Sequence, residues 1–131
     1  MTNAVLDKSK RFALSIVKLY KQLTNDKKEY ILSKQLLRSG TSIGANVREA
    51  IRGQSKPDFY HKLNIALKEA DESAYWLELL HESEFIDTTQ FSSISADCIE
   101  IIALLVSITK TQKSNNSEFR IPNSELKRGV T

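Results

Sequence analysis

Apolar residues recur along this chain in steps of three and four, the spacing of one helix face. Phe12, Ile16, Leu19 and Leu23 form such a stripe, and Lys8, Lys10, Arg11, Lys18 and Lys21 fall mostly off it. The polar run TNDKK at 24–28 predicts a short turn, with Thr24, Asn25 and Asp26 each able to cap the next helix. The same step resumes with Leu32, Leu36, Ser39, Ile43, Val47 and Ala50, which predicts a second helix over 27–51 that Gly53 stops. Ser55 then reads as an N-cap, with Pro57 in the first turn and Asp58 where a carboxylate meets free amides. Phe59, Leu63, Ala66, Ala70, Ser73, Leu77 and Leu80 mark a third helix that fades near Glu84. Asp87 followed by Gln90 resembles a capping box, opening a fourth helix with Phe91, Ile94, Cys98, Ile101, Leu105 and Ile108. From Ser114 the chain is polar and aperiodic and reads as a flexible tail. Short connections make successive helices antiparallel neighbours. The expected fold class is all-α: an up-down-up-down antiparallel four-helix bundle over residues 4–113, with a polar C-terminal tail over 114–131.

Two features exceed the needs of a plain bundle. The second helix holds Ser39, Gly40, Thr41, Ser42, Gly44 and Ala45 in succession around Ile43. Each interior glycine costs about 1 kcal/mol relative to alanine, so something compensates. Close approach of a neighbouring helix, a kink, contact with another copy and an open backbone surface all remain possible. In the fourth helix, Ile101 to Val106 are six consecutive apolar residues flanked by Ile99 and Ile108. On a helix such a run points in every direction, while a bundle hides one face. The remainder predicts contact between copies. Candidate contact residues are Gly40, Gly44, Ile99, Ile102 and Val106.

Composition fits this reading. The 131 residues suffice for one domain that hides about two-thirds of its unfolded surface. Four glycines and two prolines are too few for a fold rich in turns. A single cysteine, Cys98, forms no internal disulfide, and MTNAVLDKSKRF lacks the apolar core of a signal peptide. The Ile101–Val106 run is too short to cross a bilayer. A cytoplasmic chain without membrane association is the expectation.

The net charge of +3 is weakly informative, but its distribution is not even. Residues 27–56 carry seven Lys or Arg against two Glu, and residues 57–84 carry two Lys against seven Asp or Glu. The opposite-sign helices either specify their own pairing or present a cationic surface to nucleic-acid phosphates. Candidate phosphate contacts are Lys27, Lys28, Lys34, Arg38, Arg48, Arg52 and Lys56. Tyr20, Tyr30 and Tyr60 are available for base stacking. Catalytic and metal signals are missing. His61 and His81 lie twenty residues apart without partners at ligand spacing, and no Glu-x-x-His pair occurs. Glu69 and Glu72 read as a solvated or salt-bridged face, and Cys98 in its apolar setting as an inert thiol. No phosphate loop or nucleophile elbow is present. The sequence thus predicts no enzyme, no cofactor and no metal.

The stretch KQLLRSGTSIGANVREA at 34–50, then Ser55, Asp58-Phe59 and IALKEADESAYWLELL at 65–80, resembles one bacterial family. This is the four-helix-bundle family encoded within intervening sequences of 23S ribosomal RNA genes, and the resemblance covers residues 8–113. It implies a homopentamer around a central channel and a connection to RNA or an RNA-protein complex. A related branch, the accessory variability determinant of diversity-generating retroelements, is a basic pentameric barrel that binds nucleic acid and a reverse transcriptase. Gln35, Arg38, Ser42, Asn46, Glu49 and Glu69 occupy the family's recurrent polar positions, with an implied role as hydrogen bonds between helices. The acidic third helix departs from the uniformly basic retroelement branch.

Overall fold

The computed structural model describes residues 2–119, with side chains through residue 111. Four helices follow one another: α1 (Thr2–Asn25), α2 (Leu32–Ile51), α3 (Lys56–Glu82) and α4 (Thr88–Phe119). Each packs on the next, and α4 closes back on α1, which gives the up-down-up-down bundle. The segment expected as a polar tail from 114 is still helix through Phe119. Nothing in SNNSEF breaks a helix before Pro122, and α4 runs on to Phe119; residues 120–131 lie outside the described residues.

The first turn differs from expectation in a definable way. Helix α2 begins at Leu32 rather than 27, because Lys28 takes a left-handed backbone (φ 56°) and the Glu29 amide donates to the Leu23 carbonyl at 2.9 Å. The Glu29 carboxylate then accepts from the amides of Ile31, Leu32 and Ser33 at 3.1, 3.0 and 2.7 Å. Ser33 Oγ returns a bond to the Glu29 carbonyl at 2.7 Å. Glu29 is thus the cap of α2, while the Thr24 hydroxyl turns back to the Tyr20 carbonyl. The other boundaries obey their sequence signals. Ser55 Oγ accepts from the Asp58 amide at 3.2 Å, and Asp87 Oδ1 from the Gln90 amide at 2.8 Å. Gln90 completes no box; its side-chain amide donates to Gln22 on α1 instead.

The stripes read from the sequence become the core: Phe12, Ile16, Leu19 and Leu23 meet Leu36, Ile43 and Val47, then Leu63, Leu77 and Leu80, then Cys98, Ile101 and Leu105. The glycine face has its explanation inside this core. A Cβ at Gly40 would sit 2.9 Å from Ile16 Cγ1, so α1 presses directly on the α2 backbone. At Gly44 the nearest neighbour is Ser9 Oγ at 3.4 Å. On the other side of α2, the buried hydroxyls of Ser39 and Ser73 meet at 2.8 Å, and Ser73 donates onward to the Glu69 carbonyl. Gly40 therefore leaves the set of contacts between copies, because its bare face is filled by the same chain. Gly44 also faces α1, at the floor of a groove open to solvent.

The two glycines make a matched prediction. Gly40→Ala forces the β-branched Ile16 aside and destabilises by about 1–3 kcal/mol despite better helix propensity. Gly44→Ala meets ordinary contacts and gains up to about 1 kcal/mol. Thermal unfolding of the two variants beside the parent checks both signs.

Candidate interaction surfaces

The cations named from sequence do not form one patch. Lys27, Lys28 and Lys34 gather at the α1–α2 turn, and Arg48, Arg52 and Lys56 at the opposite end of α2. Fourteen residues of helix separate Lys34 from Arg48, or about 20 Å. This exceeds the roughly 8 Å over which exposed charges act at physiological salt. The turn is the richer of the two groups, because Tyr30 and Ile31 stand 56% and 73% exposed among its lysines. Tyr20 and Tyr60 are half-buried.

Arg38 lies between the groups and belongs to neither. Its guanidinium reaches α3, 3.1 Å from Glu69 Oε1, with Nη2 bonded to Glu72. Trp76 Nε1 donates to the same Glu72 carboxylate at 2.9 Å. Arg38 is pushed upward by its bond to Glu72, and Glu72 is held below the usual carboxylate range by Arg38 first and Trp76 second. Arg38 is therefore withdrawn as a phosphate contact, since two carboxylates already neutralise it. Glu49, pairing with Lys62 at 2.8 Å, makes a second α2–α3 bridge. Ser42 and Asn46 bond within their own helix, to the carbonyls of Arg38 and Ser42, and join no neighbour. The Glu72–Trp76 bond has a sequence signal in its four-residue spacing. The Arg38 bridge has none, because it depends on how α2 and α3 face each other.

Helix α4 carries the unpartnered apolar surface. Its inner stripe packs on the bundle, whereas Ser92, Ala96, Ile99, Ala103, Val106 and Lys110 all face outward. Ile99 is 61% and Val106 44% exposed; Ile102 and Leu104 are half-buried at the edges. The stretch Thr88–Thr111 is long and apolar enough to cross a bilayer by length and composition, and 22% of its most apolar window is buried. The six-residue run understated it, because the neighbouring serines and threonines carry no charge. Its inner stripe sits in the core, and Glu100 reaches Lys8 of α1 at 3.1 Å.

The remaining reactive groups are quiet. Cys98 Sγ donates to the Ala70 carbonyl, and burial pushes the thiol up to about 12, with Asp71 and Asp97 adding to the shift. His81 stacks on Phe91 at 4.3 Å and meets Thr88 Oγ1. Among the described residues, His, Cys, Asp and Glu nowhere gather in threes as a metal site would require.

A closed square of antiparallel helices, bridged by Arg38 across a small-residue seam, defines a class of small helical-bundle proteins. The chain belongs to the 23S rRNA-intervening sequence protein family, whose pattern it matches over residues 1–107. It is similar to a protein of unknown function from the S23 ribosomal protein family of Bacteroides thetaiotaomicron, solved at 1.70 Å. The two are 60% identical, the match covers 83% of this chain and 97% of that one, and the TM-score is 0.82. No curated protein matches the chain.

The Arg38 cluster predicts a pH dependence. A lowered carboxyl contributes stability that is complete above the ordinary carboxylate range and lost as pH falls through the lowered value. Glu72→Gln is expected to lower the thermal midpoint at neutral pH by the equivalent of at most about 1 kcal/mol, as for a half-exposed pair. The gap between variant and parent closes as pH falls below the ordinary carboxylate range and through the lowered value of Glu72. Melting curves over that range check it.

Proposed function

We propose that this chain is a non-enzymatic, cytoplasmic subunit of a homo-oligomeric helical assembly that engages RNA through the cations of its α1–α2 turn. The observation that carries the reading is the outer face of α4. Ile99 and Val106 hold bulky hydrocarbon in water, and contiguous apolar surface on a bundle marks an interface. Physics asks only for more than one copy; five-fold stoichiometry is what family membership adds. RNA enters through the same membership and through the turn itself. There Lys27, Lys28 and Lys34 suit phosphates, and Tyr30 offers an open ring to an unpaired base.

A second reading, an assembly whose charges serve only its own helices, draws on the pairing of Arg38 and Lys62 with carboxylates of the neighbouring helix. An RNA gel shift over a salt series separates the two. Binding with a steep salt slope, which Lys27→Glu/Lys28→Glu/Lys34→Glu reduces by about 2–3 without changing the mass, supports RNA engagement. No shift even at about 50 mM salt selects the second reading.

Self-association is tested by light scattering. The parent is expected at a multiple of 14.9 kDa, and Ile99→Glu/Val106→Glu at 14.9 kDa with its helicity intact. A parent that stays at 14.9 kDa across concentration overturns the assembly.

A further inference from the structure

Successive helices alternate in direction, so the α3–α4 turn lies at the same end of the bundle as the α1–α2 turn. Each of these turns holds a left-handed residue that is not glycine: Lys28 at φ 56° and Glu84 at φ 69°. Residues with a side chain avoid this backbone, so the surroundings must hold it in place. In the second turn the amides of Phe85 and Ile86 both donate to the Leu80 carbonyl, at 2.9 and 3.3 Å, and Ile86 is buried. A cavity of about 400 Å³, open to solvent, is lined by both turns and by the helix ends they join. Its size is that of a small-molecule site.

Planar and polar side chains dominate the lining. Gln90 of α4 donates through Nε2 to Gln22 Oε1 of α1 at 3.0 Å, a bond between two helices that both line the cavity. The other half of each amide, a donor on Gln22 and an acceptor on Gln90, has no partner among the described residues. The His81 ring lies flat on Phe91, with centroids 4.3 Å apart, and Phe85 adds a half-buried ring. Lys27 is the lining cation, and it has no ion pair among the described residues. Glu84 has none either, and Asp87 spends one oxygen on the Gln90 amide.

We infer that this cavity takes one unpaired ribonucleotide, whose flanking phosphates run over Lys27 and Lys28. This rests on the RNA engagement proposed above and names its substrate class: unpaired RNA, not duplex. The free amide donor and acceptor suit the donors and acceptors on a base edge, and the rings of His81 and Phe85 suit a base face. The carboxylates set the direction of entry. Glu84 and Asp87 repel phosphate, which keeps the backbone outside on the lysines. They accept from ribose hydroxyls, and DNA lacks the 2′ one. Tyr30 is three residues from Lys27, at most about 11 Å of chain, so its exposed ring meets the neighbouring base. A duplex keeps its base faces in the stack and offers the lysines only phosphate.

Fluorescence anisotropy tests this with a labelled unpaired RNA of about twelve nucleotides, its RNA duplex and the same strand as DNA. The parent is expected to bind the unpaired RNA at least about tenfold more tightly than the duplex or the DNA. Gln22→Ala/Gln90→Ala is expected to lower affinity for the unpaired RNA about tenfold, with duplex binding and the salt slope unchanged because the lysines remain. A parent that binds duplex or DNA as tightly as unpaired RNA overturns the inference, and so does a variant that keeps the parent's preference. In both cases RNA binding itself leaves the earlier reading standing. Absence of binding to any of the RNAs overturns the earlier reading and this one with it. A second measurement needs no variant. Unpaired RNA bearing photoreactive thio-bases is expected to crosslink to residues 81–90 of the parent, and crosslinks confined to residues 27–34 overturn the cavity as the site.

Discussion

Helix α2 can approach both neighbours closely because residues 39 and 40 carry almost no side chain. Gly40 lets Ile16 press on the backbone from α1, and Ser39 lets α3 come near enough for its hydroxyl to meet that of Ser73. Close-packed interiors tolerate little change in volume, so this double approach fixes where α1 and α3 stand. The polar atoms this seam buries bond to each other and to the Glu69 carbonyl, which removes the cost of leaving them unsatisfied. Helix α4 packs on α3 and α1, the two partners that α2 spaces.

The packing around the bundle is uneven. Helices α1, α2 and α3 share a dense seam, while α4 meets α1 most sparsely, with a gap of about 190 Å³ beside Phe12 and Ile101. Its inner stripe is satisfied, yet the run from Ile99 to Val106 supplies more hydrocarbon than one bundle can cover. Positions 99, 103 and 106, which face outward, carry isoleucine, alanine and valine.

Much of this was legible in the sequence, because it obeys local rules. Periodicity located every core stripe, and Ser55 and Asp87 cap the helices they were expected to cap. The α2 start escaped because its cap is a glutamate, a residue outside the usual capping set, made competent by a left-handed Lys28. The site was less legible, since spacing along one helix says nothing of which helix faces it. The seven basic residues of segment 27–56 read as one cationic helix. The fold instead divides six of them between two ends and gives the seventh, Arg38, to Glu69 and Glu72.

The division of charge also bears on how copies meet. Pairing Arg38 and Lys62 with α3 and α2 carboxylates consumes the opposite charges where those helices touch. The charge left outside is uneven: among the described residues the cations without an ion pair gather on α1 and α2, and the carboxylates without one mostly on α3, while Glu100 of α4 is held by Lys8. Copies brought together through like faces would set like charges opposite each other, which is costly once water is excluded. Copies brought together through unlike faces set cations against carboxylates.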